Sequence, residues 1–354
     1  MIDKWAMDST KLQWHPDRVK DFMEGKRIMP IIIDAGIHKS CNINCRFCYG
    51  VKQHKTTDFI PEDRLMMLAY DMYLVGVKAI AIIGDGEPTM NKGLYSFVQR
   101  LKQFNIDAAV ATNGLLLDEE KIDILTSSLI WMRFNISAVE NFDYVMGAPK
   151  GSLEKLEKIV KYAVKNKRDC TIGLQSVLIP DGFSDIIPLA KKAVEWGVDY
   201  LVVKQFSDGG EGMPLHFDMD EYKKVQADLK IAESMSTDKT SIIIKWKAME
   251  DSKNITKYKK YEFARCIDLP FLFQISGDGG CYPCGYLFGN KEYCYGNVCT
   301  ERLKDILMSE KYWGIIKKVA ETPLEKLCSG QCRHTATNKW VNDLMNPPNF
   351  VSFI

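Results

Sequence analysis

From about residue 30 to residue 240 the chain repeats one alternation, an apolar strand-like run followed by an amphipathic helical pattern. Few sequence features constrain a fold as tightly. The runs "PIIIDAGI", "VKAIAIIG", "DAAVATNG", "IWMRFNIS", "CTIGLQSVLI" and "VDYLVVKQF" read as strands. After each comes a helical pattern: "PEDRLMMLAYDMYLVG", "LYSFVQRLKQFN", "DEEKIDILTSS", "SLEKLEKIVKYAVKNK", "FSDIIPLAKKAVEWG" and "MDEYKKVQADLKIAES". Pro61 opens the first of these and Gly76 closes it. Six such units imply parallel strands joined by right-handed crossovers. The expected fold is α/β, a partial (β/α)6 TIM-like barrel with its chemistry at the C-terminal strand ends.

From about Lys257 the rhythm stops and Gly and Cys become dense. The expected organisation is an N-terminal arm over 1–29, the barrel over 30–240, and a small Cys-rich domain with a tail over 255–354. A length of 354 residues accommodates this. The formal net charge of +1 gives no global field to recruit nucleic acid or an acidic membrane. The run "KYKK" reads as a solvated face. "MIDKWAMDSTK" has no apolar signal-peptide core, and "IMPIIIDAGI" is far shorter than the roughly 20 residues of a membrane span. The sequence-based expectation is a cytoplasmic protein with no nucleic-acid or membrane partner.

Eleven cysteines, an odd number without a secretion signal, argue against a disulfide framework. Their clustering points to metal or iron–sulfur ligation. Cys41, Cys45 and Cys48 form C-x3-C-x2-C directly after the first strand. One reading is a zinc site completed by His38 or His54, although structural zinc usually brings paired C-x2-C knuckles. The other is a [4Fe–4S] cluster on three thiolates, with one iron left open.

The motif resembles that of radical S-adenosylmethionine (SAM) enzymes. The resemblance implies a cluster on Cys41, Cys45 and Cys48 whose open iron takes the amino and carboxylate groups of SAM. Reductive cleavage then gives a 5′-deoxyadenosyl radical that abstracts hydrogen from a substrate. Tyr49 stands where the family often sets an aromatic residue against adenine. "GDGEPT" looks like the family's "GGEP", with Gly84, Gly86 and Glu87 near the methionyl group. Asp85 departs from it, replacing the first glycine. The resemblance further implies cofactor contacts from Thr112 and Asn113 of "ATNG", Asn135 and Ser137 of "FNIS", and Gln175, Leu178 and Ile179 of "GLQSVLIP". It covers roughly residues 30–205. Each later element has a plainer alternative, a strand end that merely turns.

The remaining cluster holds Cys266, Cys281, Cys284, Cys294, Cys299, Cys328 and Cys332. "DGGCYPCGYLFGN" and "YGNVCTERLKDIL" are similar to the SPASM and twitch extensions of the same superfamily, which bind auxiliary [4Fe–4S] clusters. The spacing departs from full SPASM and fits the shorter twitch form. The resemblance assigns Cys266, Cys284, Cys328 and Cys332 to one auxiliary cluster, against the alternative of a four-cysteine zinc ribbon. Cys170, Cys294 and Cys299 read as small buried hydrophobes. Cys281, in the valine position of "DG-x-V-Y-P-C", is expected as a hydrogen-atom donor to a substrate radical, against an inert or alternative ligand role.

The arm and tail look similar to radical enzymes of polysaccharide and aminoglycoside synthesis, which favours a sugar-like small-molecule substrate. Lys204 and Asp208 are expected on the catalytic rim, to bind or deprotonate a hydroxyl. A solvated lysine and a turn aspartate are the alternative. His216 adds little. The resulting expectation is an epimerase using Cys281, supplied with electrons by a flavodoxin or ferredoxin. A dehydrogenase using the auxiliary cluster and a peptide maturase are the alternatives.

Overall fold

The computed structural model describes residues 10–48, 56–180, 185–206, 217, 219–246, 249, 263–328 and 334–352. Tyr49, His54, Asp208, His216 and Cys332 lie outside them. The expected units are present, and one sheet collects them all. Its strands are β1 (Ile32–Ala35), β2 (Ala79–Ile82), β3 (Asp107–Thr112), β4 (Trp131–Asn135), β5 (Thr171–Leu178), β6 (Tyr200–Gln205), β7 (Ser241–Ile244), β8 (Leu272–Ile275), β9 (Gly280–Tyr282) and β10 (Gly296–Asn297). Helix α1 (Pro16–Met23) precedes β1. Between strands run α2 (Glu62–Val75), α3 (Leu94–Gln103), α4 (Glu119–Ser128), α5 (Phe142–Met146), α6 (Ser152–Asn166), α7 (Ile186–Trp196) and α8 (Met219–Ser234). After β10 come α9 (Leu303–Met308), α10 (Glu310–Glu321), α11 (Leu324–Leu327) and α12 (Thr335–Met345).

The strand order is β10-β9-β8-β1-β2-β3-β4-β5-β6-β7. β1 to β7 are mutually parallel, which is the open, partial barrel expected from the βα rhythm. Two features were not legible in the rhythm. A seventh strand, the short "SIII" of β7, extends the sheet beyond β6. At the other edge β8 pairs parallel with β1, and β9 and β10 continue antiparallel. The Cys-rich region is thus stitched onto the first barrel strand by backbone hydrogen bonds.

Local chemistry sets the element ends. Pro61 caps α2, with Glu62 and Asp63 in its first turn against the helix dipole, and Gly76 ends it at φ 73°, a conformation open to glycine. Asp118 accepts a hydrogen bond from Lys121 N at 2.9 Å to start α4.

The two sheet faces differ sharply. Ile33, Ile80, Ile82, Val110, Met132, Phe134, Ile172, Leu174 and Leu201 are fully buried in the helix-covered core. The alternate residues form cross-strand rows on the opposite face. One row is Asp34, Ala81, Ala109, Trp131 and Thr171, and the next is Ala111, Arg133, Gly173 and Tyr200. Above them lie Asn135, Gln175 and Val202, then Val177 and Lys204. Small side chains keep this inner face open beside β2 and β3, and polar ones furnish it from β4 to β6.

The C-terminal region also holds the helix layer. Arg64 of α2 donates to the carbonyl of Val298 (2.8 Å from Nε), and Arg302 forms a forked pair with the buried carboxylate of Asp71. No helix among the described residues is long and apolar enough to cross a membrane.

Candidate active site

The cysteine loop leaves β1 at its C-terminal end and crosses the mouth of the sheet. Cys41, Cys45 and Cys48 are partly exposed. The loop's backbone is pinned at three points. Glu87 N donates to Ser40 O at 2.8 Å, Asn44 N to Gly147 O at 3.2 Å, and Arg46 N to Val145 O at 3.0 Å. The Arg46 guanidinium lies 4.4 Å from the Tyr144 ring centroid. Phe47 packs against the apolar group of Ala138, Val145, Val177, Ile179 and Phe206. Gly147 is needed for this approach: at φ 56° an added Cβ would fall 2.2 Å from Asn44 O. Sequence reasoning passed over Gly147, whose signal was the "MGAP" that closes α5.

Glu87 braces the loop from behind. Its buried carboxylate accepts from Thr89 N (3.1 Å), Thr89 Oγ1 (2.6 Å), Thr112 Oγ1 (2.5 Å) and Asn113 N (2.8 Å). Burial pushes this carboxyl up, while the four donors pull it back toward the charged form. Asn113 then reaches forward: its Nδ2 donates to Asn42 Oδ1 at 2.8 Å and lies 3.7 Å from Cys41 Sγ. A thiolate at Cys41 would therefore have an amide donor beside it.

The glycines of "GDGEPT" serve packing. A Cβ at Gly84 would meet Gly36 Cα at 1.9 Å, and one at Gly86 would meet His38 O at 2.0 Å. Asp85 does not face an open site. Its Oδ2 lies 3.0 Å from Lys39 Nζ and accepts from Ser276 Oγ at 2.8 Å, while Oδ1 accepts from Gly277 N at 2.8 Å.

The later elements gather around the same mouth. Gln175 Nε2 donates to Asn135 Oδ1 at 3.1 Å. Ser137 Oγ accepts from Val177 N at 2.9 Å. Leu178 is in the helix-covered core, and Ile179 is in the apolar group under Phe47. Lys204 ends the inner face of β6. It is exposed to solvent. Desolvation by nearby protein, followed by the charges of Arg133 and Lys245, lowers its pKa to about 8.

His38 is not poised as a metal ligand, because its Nδ1 accepts from Ser40 N at 2.9 Å. Among the described residues no three His, Cys, Asp or Glu groups converge as they would on one metal ion. The donor chemistry of the loop, three thiols on a braced turn, suits a cluster, which spreads its thiolates over separate irons.

In the C-terminal region Cys284, Cys266 and Cys281 lie near Tyr295, and Cys328 lies near Cys284. Burial raises the Tyr295 hydroxyl, and nearby Cys284 and Cys266 add to the shift. Crowding pushes the Cys284 thiol up to about 11, with a contribution from Cys328. Cys266 Sγ is 3.6 Å from Asp268 Oδ1. Cys281 also adds to the Tyr295 shift, so it lies near this group. It has no exposed surface, pairs with Ile275 in the β8–β9 ladder, and belongs to the helix-side core. Its thiol donates to Gly279 O at 3.5 Å, and burial pushes its pKa well up. That buried seat lends the expected hydrogen-atom donor no support.

Three thiols on a braced loop at the C-terminal mouth of a parallel α/β sheet define a class: enzymes built around a surface-accessible cluster. Comparison with known proteins agrees. Residues 37–193 match the Radical SAM superfamily, and residues 266–333 match an iron-sulfur cluster-binding domain, SPASM. The tungsten-containing aldehyde ferredoxin oxidoreductase cofactor-modifying protein of Pyrococcus furiosus is 25% identical over 307 residues, 78% of this chain and 80% of that protein. A GTP 3′,8-cyclase of Helicobacter pylori is 28% identical over 155 residues, 41% of this chain, and the match spans 47% of the cyclase. SuiB of Streptococcus suis, solved with its precursor peptide SuiA, superposes with a TM-score of 0.66 at 17% identity, over 94% of this chain and 77% of SuiB. The structure of anSMEcpe with bound AdoMet gives 0.61 at 14% identity, over 90% of this chain and 100% of that one. The chain is an enzyme of the radical SAM superfamily with a C-terminal SPASM-type iron–sulfur region, and its chemistry is the generation of a 5′-deoxyadenosyl radical.

Proposed function

We propose that this enzyme oxidises its substrate. The 5′-deoxyadenosyl radical takes the hydrogen atom from a hydroxyl-bearing carbon of a sugar- or cyclitol-like molecule. The substrate radical then releases the hydroxyl proton and one electron, leaving a ketone. Cys41, Cys45 and Cys48 would hold the cluster that supplies the cleaving electron, replenished by a flavodoxin- or ferredoxin-type reductant. Cys266, Cys284, Cys328 and Cys332 would hold the one that accepts the substrate's electron. Lys204, with its lowered pKa and inner-face position, supports a role in receiving the proton. Asn135 and Gln175 orient polar groups beside it.

The observation that carries the oxidative reading is the seat of Cys281. A thiol without exposed surface, in the helix-side core, supports oxidation over an inversion that uses it. Epimerisation through Cys281 is therefore the less supported outcome. The names of the Pyrococcus furiosus and Helicobacter pylori relatives, a cofactor-modifying protein and a GTP cyclase, support a small-molecule substrate. The fold likeness to SuiB, solved with a bound peptide, favours a second reading in which the oxidised group is on a peptide.

The test is anaerobic turnover of the reduced holoenzyme in deuterated water with panels of sugars, cyclitols and short peptides. The oxidative reading expects a product two hydrogens lighter, one 5′-deoxyadenosine per product, and Cys281→Ala still active. An inverted carbon carrying deuterium, abolished in Cys281→Ala, would establish the epimerase instead. Product arising only from peptides would select the second reading.

A further inference from the structure

We propose that Lys39 and Asp85 form a buried charge clasp that docks the C-terminal region onto the cysteine loop and sets the charge felt by the cluster there, with Asp85 as a positioning residue. Lys39 stands two residues before Cys41, and Asp85 occupies the position where the family motif has glycine. Their side chains are 5% and 0% exposed, with Nζ and Oδ2 3.0 Å apart. The remaining bonds of Asp85 go to the turn between β8 and β9: Ser276 Oγ donates at 2.8 Å and Gly277 N at 2.8 Å. Lys39 Nζ also donates to Ser276 Oγ at 3.3 Å and lies 3.9 Å from Asp278 Oδ2. Three segments distant in sequence therefore share one buried ion pair.

Their backbones leave no slack. A Cβ at Gly36 would lie 2.3 Å from Asp85 Oδ1 and 2.7 Å from Gly277 N, and one at Gly277 would lie 2.5 Å from the His38 carbonyl carbon. Burying two charges costs desolvation that only good geometry and further hydrogen bonds repay. Here Asp85 accepts three interactions and every partner is held by close backbone packing. Such a pair fixes one register of docking. It also acts at a distance, because interior charges are weakly screened and the potential of an iron–sulfur cluster follows the net charge around it. Neutralising Asp85 leaves an ammonium beside the loop, which favours the reduced, more negative cluster. Neutralising Lys39 leaves a carboxylate, which disfavours it. Removing both charges cancels the two effects to first order.

This inference rests on Cys41, Cys45 and Cys48 holding the SAM-responsive cluster. Asp85→Asn, Lys39→Gln and the double variant would be compared with the native holoenzyme by redox titration, following the electron paramagnetic resonance signal that changes on adding SAM. The expected result is a higher midpoint for Asp85→Asn, a lower one for Lys39→Gln, and a near-native one for the double variant. Loss of a structural tie alone would not give opposite signs that cancel. Shifts of the same sign, or none in either single variant, would overturn the clasp. If a single variant fails to load iron, the double variant decides: loading with a near-native potential supports the clasp, and failure to load overturns it. A SAM-responsive signal surviving in Cys41→Ala/Cys45→Ala/Cys48→Ala would instead overturn the ligand assignment.

Discussion

Glu87→Gln separates a brace from a cofactor ligand. The carboxylate accepts three bonds on Oε1 and one on Oε2, the last from Asn113 N at 2.8 Å. An amide keeps the first oxygen, but its NH2 then faces the Asn113 N–H, so one charge-assisted bond of about 1.5–3 kcal/mol is lost and two donors are left opposed. The three surviving bonds weaken because the acceptor is no longer charged. Relief from burying a charge returns part of this, leaving a net destabilisation of roughly 2–4 kcal/mol. Urea melts of the apo chain, compared at constant m-value, would measure it directly. Iron loading should fall in parallel, since Asn113 links Glu87 to Asn42 and the neighbourhood of Cys41. The reasoning would be refuted by an apo protein within 0.5 kcal/mol of native whose affinity for SAM alone had dropped. In that case the carboxylate would be serving the cofactor.

Further perturbations probe other joints of the site. Gly147→Ala should cost about 1–2 kcal/mol for the left-handed backbone, before the clash with Asn44 O, and should raise proteolytic cleavage within residues 41–48; native protease resistance would contradict this. Lys204→Gln should abolish product while 5′-deoxyadenosine still forms. With the native pKa lowered to about 8, the neutral amine gains population as pH rises through that value, so native turnover should climb between pH 7 and 9, and a flat profile would remove the lysine from proton transfer. Arg302→Ala leaves the buried Asp71 carboxylate without its forked partner and should destabilise the chain by about 3 kcal/mol, read as a lower urea midpoint; an unchanged midpoint would show that this joint between α2 and the C-terminal region carries no stability.

What the chain discloses before folding follows from the range over which each determinant acts. The βα rhythm is local, so hydrophobic period and end signals such as Pro61 and Gly76 predict strands and helices one by one, and the partial barrel with them. The four-residue β7 carries too little pattern to announce itself after the long α8, and the pairing of β8 with β1 joins residues more than 200 apart in sequence. No local signal reports such pairing. The same division runs through the site. Cys41, Cys45 and Cys48 are legible because one short loop holds all three thiols proposed as cluster ligands. The motif residues behind them were legible as residue types but not in their contacts. Glu87 and Asp85 were legible as motif positions, but the protein donors each accepts from were not. Cys281 shows the limit most sharply. Adjacency to Cys284 in sequence suggested a shared site, but its cross-strand partner Ile275 fixes which side of the sheet it faces, and that side is the core. Strand parity, which only the register supplies, thus bears on the proposed choice between two reactions that begin with the same radical. An oxidation needs no hydrogen-atom donor at the substrate radical, whereas an inversion does, and the thiol that motif adjacency nominated for that role is buried in the core.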